Sequence, residues 1–468
     1  MDCEPRPQKM ANTMAKQTAN GEKILAGLPI CVPKIMLPQK DIDLDKWACV
    51  ACDQFEAEPH YWEAMSKHVG ESPSTLKLMF PEVYLASVTG ADPCEDDKRI
   101  QSINKTMNEY VEAKVFSDRP PAFVALDRKT AQVPTRKGVM IAIDLDQYDY
   151  NCPVPTLIRP TEKTIVERLP PRIKIRQNAP LEMPHIIMVI DDPEKGVIEP
   201  LFAREGLAEP EYECTLFNGA GSVKGMRVTK DGEAHFEHAM TALVAKEAFS
   251  AKAAGREPAA LLIGDGNHSL ATAKSCWEAL KKSGGVDADC HPARYCLVEL
   301  QNLHDDGVVF EPIHRILSGI EPDTLQSYLE SEWACKGKAY IEPAPLHSVV
   351  VVKGSNPTDK IILIPPVDKL PVVSMSSVVD KFLTENPKVK INYVHGEDPV
   401  IAECRNDLTV GLLLPALDKS RFLETVHDIG TLPRKAFSMG EANEKRFYIE
   451  ARNILPIQDS THDKLYGA

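Results

Sequence analysis

The chain's 468 residues exceed what one small core organises, and at ~150 residues per domain they allow roughly two to four units. Its composition, 43% hydrophobic and 26% charged, is that of a globular protein, and no apolar run approaches the ~18 residues of a membrane span. A formal net charge of −14 argues against a general nucleic-acid binder, which gains affinity from excess Lys and Arg, and leaves only local basic patches open.

Met1 to Lys23 are polar and lack the continuous apolar core of a secretory signal, so residues 1–23 read as a flexible tail on a cytoplasmic protein. Residues 24–230 read as an N-terminal α/β region. Strands are expected over Ile30 to Leu37 and Trp47 to Cys52, and helices over Pro59 to Val69 and Ile100 to Val115, where Ile103, Met107, Tyr110 and Val111 keep a helical period. Past Pro120-Pro121, short strands are expected at Phe123 to Leu126, Val139 to Asp144, Ile186 to Ile190 and, after an Asp-Pro-Gly turn, Val197 to Glu199. Between them lies a basic segment with Arg159, Lys163, Arg168, Arg172, Lys174 and Arg176, whose plain reading is a solvated face. The glycine-rich Phe217 to Val228 matches neither a Walker A loop nor a dinucleotide fingerprint and reads as a hairpin turn.

Residues 231–320 carry an alanine-rich helix, Phe236 to Ala254, and then the densest motif of the chain. Leu261 to Gly264 read as a buried strand, Asp265-Gly266 as a tight turn, and Leu270, Ala273, Trp277 and Leu280 as one face of a helix that ends at Lys281-Lys282 and Gly284-Gly285. The turn offers backbone N–H groups at the positive end of a helix dipole, and Gly266 lets a ligand come close, so phosphate or carboxylate is the favoured guest. Asn267, His268 and Ser269 add side-chain hydrogen bonds, although a plain strand-to-helix turn capped by Ser269 would read alike. Downstream, Arg294 to Asn302 reads as a strand, His304-Asp305-Asp306-Gly307 as a turn, and Val308 to Glu311 as its return strand. Residues 321–468 form a C-terminal α/β region with helices at Thr324 to Glu330, Val378 to Leu383 and Leu417 to His427, a hairpin from Ser348 to Pro365, and a strand at Leu408 to Leu414.

The twelve cysteines are scattered and lie mostly in apolar contexts, as buried free thiols do rather than a disulfide framework. Cys49 and Cys52 have C-x-x-C spacing, but on a strand residues three apart face opposite ways, and no second pair completes a zinc site. The chain has no G-x-S-x-G elbow and no H-E-x-x-H helix, which removes the motif-based routes to a serine or zinc hydrolase. Three further sets can carry charge chemistry. Asp305-Asp306 can hold Mg²⁺ and His314-Arg315 can meet an anion; the late run Leu432 to Arg446, with Arg434 and Lys435, suits either a lid or a solvated helix start. Asp53, Glu82 and Glu162 sit in polar islands beside apolar strands, as general bases or as cap or turn residues.

The strings Trp47 to Phe55, Pro73-Ser74-Thr75-Leu76, Pro81 to Leu85, Gly264 to Lys274, His304 to Gly307 and Phe310 to Arg315 resemble, in order, the family known as domain of unknown function 1015. The family's motif, Asp-Gly-His-His-Arg before a helix, is similar to the phosphate motif of ParB-like and sulfiredoxin-like domains and of an archaeal free-serine kinase. The resemblance implies a mixed α/β fold (α+β, mixed sheets), a ParB/sulfiredoxin-like core elaborated with extra strands. It also implies that Asp265, Gly266 and His268 handle nucleotide phosphates. Asn267 and Ser269 depart from the motif, so the phosphate-binding arginine is lost at that place and Lys274, Arg294 or Arg315 would have to replace it.

The expectation that follows is a small-molecule kinase using ATP or ADP with Mg²⁺, best matched to free L-serine. Gly264 to Ser269, Arg159, Arg294, His314, Arg315, Arg434 and Lys435 would bind nucleotide or phosphate, Asp265 and Asp305 the metal, and Asp53 or Glu82 would be the base beside Asp265 and His268. The rival is a nucleotide-binding regulatory protein of ParB type. A sulfiredoxin-like thiol-repair enzyme would need a low-pKa cysteine at the helix start, and none is adjacent in sequence.

Overall fold

The computed structural model describes residues 16–55, 58–151, 156–166, 169–203, 206–354, 356 and 359–456. Arg168 and the first fifteen residues of the expected tail lie outside the described residues. The architecture is mixed α/β, built on a ten-stranded sheet and a seven-stranded sheet.

The larger sheet runs Leu207–Thr215, Ser222–Val228, Val124–Lys129, Arg136–Asp144, Tyr295–Asn302, Ile187–Ile190, Leu261–Asp265 and Ile158–Arg159, with Ile30–Val32 added beside Arg136–Asp144. Tyr295–Asn302 is buried along its whole length, because it lies between an antiparallel neighbour, Arg136–Asp144, and a parallel one, Ile187–Ile190. Alternation along these strands feeds two cores. One face packs Ile141, Met188, Ile263, Val298 and Leu300 against Phe236, Met240, Leu270 and Trp277 of the helices Lys230–Ala253 and Asn267–Ser283. The other packs Leu126, Met140 and Leu297 against Trp47, Trp62 and Met65. The smaller sheet is built around Phe310–Ser318, which pairs with Lys390–His395, Thr409–Leu413 and Phe437–Met439.

Several elements differ from the sequence expectation, each for a local reason. Trp47 to Cys52 is not one strand: Asp43 caps a helical turn, Leu44–Trp47, and only Cys49–Val50 pairs, with Phe447–Tyr448. Val197 is diverted because the Asp192 carboxylate accepts the N–H groups of Gly196 (2.7 Å) and Val197 (2.9 Å), and the chain enters a 3-10 turn at Glu199–Phe202. The segment after Asp306 does not return along Tyr295–Asn302. It leaves for the second sheet, where its partners are some 70 to 130 residues away in sequence and leave no local signal. No helix among the described residues is long and apolar enough to cross a membrane.

The C-terminal segment crosses back to the beginning of the chain, and Ala451–Asn453 pairs with Ile35–Pro38 and with Leu181–Glu182. Arg452 is fully buried and all five of its N–H donors are used, on Glu22 (2.7 and 2.8 Å), Glu182 (3.0 Å), the Tyr295 carbonyl (3.0 Å) and the Pro292 carbonyl (2.9 Å). Glu22, near the end of the expected tail, is therefore an anchored core residue. Removing one partner of such a pair strands an uncompensated charge. Arg452→Met is expected to cost about 3–5 kcal/mol of unfolding free energy, read as a lower urea midpoint; an unchanged midpoint would show that the network is not a stabilising anchor.

Candidate functional site

The Leu261–Asp265 strand lies antiparallel to Ile187–Ile190 with Asp265 opposite Ile187. Gly264 is closely packed, since a Cβ there would sit 2.3 Å from Met439 Sδ and displace that side chain. Gly266 is required by conformation: with φ 85° and ψ 29° it is the left-handed N-cap of Asn267–Ser283, and no side chain caps that helix. The turn thus presents the positive end of a helix whose N-cap residue contributes no side chain.

Each residue of the motif has a distinct partner. Asp265 accepts the Gly266 N–H (2.9 Å) through one oxygen and Lys445 Nζ (3.0 Å) through the other, while Lys445 also donates to Ser438 Oγ (2.9 Å). Asn267 is buried and its Oδ1 accepts the N–H groups of Thr161 (3.2 Å) and Glu162 (3.4 Å). His268 Nε2 accepts the Ile165 N–H (3.2 Å). Those two side chains hold the 161–165 loop against the helix start. Ser269 Oγ meets His185 Nε2 at 2.6 Å, and His185 Nδ1 meets Tyr448 Oη at 2.8 Å.

Asp53 joins this cluster from the N-terminal part of the chain. Burial works against its carboxylate, but His185, a hydrogen bond from Gln54 (2.9 Å) and the charges of Arg172 and Lys445 more than offset this and lower its pKa. Burial lowers the pKa of His185 against the pull of Asp53 and Asp265, which favours neutral imidazole. Burial raises the Glu162 carboxyl, with Lys435 and Lys445 opposing and Asp265 adding to the rise. Glu82 is paired with Arg172, so it is a counter-ion and not an open base. A cavity of about 140 Å³ opens beside the cluster, lined by Cys52, Arg172, His185, Ser269 and Tyr448 at its polar end and by side chains such as Phe80 and Met107 elsewhere.

The other sequence candidates are placed apart from this turn. Arg159 donates to the Thr156, Glu257 and Pro258 carbonyls, at the opposite end of the Leu261–Asp265 strand. Arg294 is clasped by Asp144 (2.7 and 2.9 Å), near Asp146, which holds Trp277 and Lys281 in the later turns of the helix. Asp305 accepts the Gly307 N–H (2.7 Å) in a turn beside Lys419, away from Asp265. Among the described residues no group of three or more His, Cys, Asp or Glu forms a metal cage. Arg315 donates to the carbonyls of Arg434 (3.3 Å) and Lys435 (2.8 Å) and lies over the Tyr393 ring with Arg434, so it shapes the late loop; burial lowers its pKa to about 10. Lys435 in turn approaches Glu162.

Sequence reasoning singled out Asp53, Asp265 and Ser269 but missed Lys445, His185 and Tyr448. Lys445 was inside the charged late run; His185 precedes a strand whose register with Asp265 no local pattern reveals. Cys52 also reaches the cavity, although no cysteine is near the helix in sequence. Burial together with Asp53 and Glu82 pushes its thiol far up, the reverse of what thiol-repair chemistry needs.

Fold and site together define a mixed α/β protein with a cluster of charged and polar side chains at a strand-to-helix turn. The chain belongs to the family described as "Protein of unknown function (DUF1015)", whose model matches residues 36–381. No curated protein matches it. Among solved structures it is similar to a conserved hypothetical protein from Pyrococcus furiosus (11% identity, 68% of this chain and 95% of that one, TM-score 0.32). It is also similar to a free serine kinase in complex with AMP (11%, 68% and 92%, 0.34) and to SbnI with a C-terminal truncation from Staphylococcus aureus (10%, 69% and 92%, 0.34). At that distance the likeness defines neither ligand nor reaction.

His314 supplies a pH test of its placement. It is buried, its Nδ1 accepts the Leu414 N–H (3.1 Å), and burial with Arg315 and His395 lowers its pKa to about 4. An unfolded histidine titrates near 6.5, so between pH 6.5 and 4 the unfolded state binds the extra proton and stability falls as pH falls. The full span is on the order of 3 kcal/mol. Urea titrations at pH 7 and pH 4.5 should show a smaller pH-dependent loss in His314→Gln than in the wild type; equal losses would remove His314 as the source.

Proposed function

We propose that the chain transfers a phosphoryl group from ATP or ADP to the hydroxyl of a small acceptor, with free L-serine the first acceptor to test. The observation that carries this reading is the meeting of two carboxylates, Asp53 and Asp265, with Lys445 and Arg172 at an uncapped helix start. Phosphoryl transfer asks for little else: donors for the phosphate oxygens, cations to offset charge that builds on them, and a carboxylate for the acceptor's proton. The first-turn N–H groups and Lys445 take the first two roles. Asp53, held ionised by its cationic neighbours, takes the third.

Asp265 fits Mg²⁺ binding together with phosphate oxygens, since Mg²⁺ commonly takes only one or two protein carboxylates, and the ion when bound would neutralise phosphate charge. Asn267, His268 and Gly266 keep the cradle in shape, and the apolar part of the cavity leaves room for a flat or aliphatic group next to the reacting atoms.

The test is to incubate the purified protein with Mg²⁺, ATP or ADP and a panel of amino acids and sugars, and follow phosphorylated product by mass. Asp53→Asn is expected to lower kcat by about 10²–10⁴ with nucleotide binding retained. Nucleotide binding without product from any acceptor would favour a regulatory nucleotide sensor, and no binding at millimolar nucleotide would end the nucleotide reading of the cradle.

A further inference from the structure

Ser269 and His185 are joined by a hydrogen bond that the proposed transfer, with Asp53 as base, does not use. Behind it stands a short chain of hydrogen-bond partners. Tyr448 Oη accepts the Cys52 N–H (3.4 Å) and donates its own proton to Cys52 Sγ (3.3 Å). The same hydroxyl lies 2.8 Å from His185 Nδ1, and either tautomer of the ring satisfies that bond. The tautomer with its proton on Nδ1 leaves Nε2 as an acceptor, 2.6 Å from Ser269 Oγ. A base with its lone pair on a hydroxyl, its far nitrogen held by a third group, is the arrangement that activates a nucleophile.

The surroundings suit attack on a charged centre. Ser269 is half-buried, in the first turn of the uncapped helix, and lines the cavity together with His185, Tyr448 and Arg172. Burial, with Arg172 and Arg446, keeps His185 neutral and so able to accept a proton, while Asp53 and Asp265 pull the other way and favour the imidazolium formed when it does. Lys445, paired with Asp265, brings a cation to the same helix start from another segment.

We propose that Ser269 is a nucleophile activated by His185 and carries the phosphoryl group as a covalent intermediate. This rests on the reading of the site as a phosphotransferase. In the first step Ser269 Oγ bonds to the terminal phosphorus of the nucleotide, the bond from that phosphorus to its bridging oxygen breaks, the serine proton passes to His185 Nε2, and the nucleotide departs one phosphate shorter. In the second step the acceptor oxygen bonds to phosphorus, its proton goes to Asp53, the Oγ–P bond breaks, and Ser269 recovers its proton from His185. A bond that merely staples the helix to the 183–186 segment would do none of this.

Two probes separate this inference from the function it rests on. The first is diisopropyl fluorophosphate, which reports serine nucleophilicity with no nucleotide present. The wild-type protein is expected to gain one adduct, mapped by peptide mass to Ser269, with labelling at least tenfold slower in His185→Gln and absent in Ser269→Ala. The second is ATP or ADP with Mg²⁺ and no acceptor, which is expected to leave one phosphoryl group on Ser269. Adduct at Ser269 without nucleotide binding would keep the nucleophile and end the nucleotide donor. Acceptor phosphorylation at the wild-type rate in Ser269→Ala would overturn the intermediate and leave the kinase standing. A wild-type protein that takes neither label overturns the inference, and because this outcome is read on the unaltered chain it does not depend on any variant folding.

Discussion

Three buried cations on one short stretch hold this structure together. Lys445 reaches Asp265, Arg446 reaches Glu299 (2.8 Å) and Glu450, and Arg452 reaches Glu22 and Glu182. Apart from Glu450, their partners come from sites far apart in the chain. Burying each charge is costly, and only pairing with hydrogen bonds on the remaining donors offsets the loss of water. The demand is visible in Gly138, where a Cβ would lie 2.5 Å from Glu299 Oε1, so the strand beside the pair has to go bare to admit it. Tyr212 donates to the Glu450 carboxylate from another strand and completes the same network.

The consequence for the site is that fold and chemistry share one strap. Lys445 enters the cradle, and three residues later Tyr448 holds the imidazole that faces Ser269. The strap is fixed on both sides, through Arg446 into the central strand and through the pairing of Phe447–Tyr448 with Cys49–Val50. The same pairing sets Cys52 and Asp53 next to His185. A shift of the strap would move cation, orienting hydroxyl and carboxylate together, which is how a site assembled from four remote segments keeps its geometry.

What the sequence revealed and what it hid divide along the range of the interactions. The Pro59–Val69 helix is read to the residue because its proline start and buried Tyr61, Trp62, Met65 and Val69 are local signals. The strand, turn and helix around Gly266 are legible for the same reason: the left-handed glycine and the apolar helical face lie within twenty residues. Arg159, Arg294 and Arg315 looked like phosphate ligands because charge in a sequence carries no direction. In the fold each is spent on backbone carbonyls or a carboxylate, as buried guanidinium groups need to be. His185 and Lys445 could not be found by spacing, since what makes them functional is a register 78 to 180 residues long.

The turn at Asp265 illustrates why a motif and its chemistry can part. Of the five positions Asp265 to Ser269, the side chains of Asn267 and His268 hold the neighbouring loop through backbone N–H groups, one glycine sets the bend, and Asp265 and Ser269 face Lys445 and His185. An arginine at 269 would have brought its charge into the cradle from the helix itself. With serine there, the charge comes instead from Lys445 on the strap, and the shorter side chain leaves its hydroxyl against His185 in a space that Arg172 also borders. A motif's local spelling therefore does not fix the charge of its site: that charge can be supplied from a segment 180 residues away, as Lys445 does for Asp265.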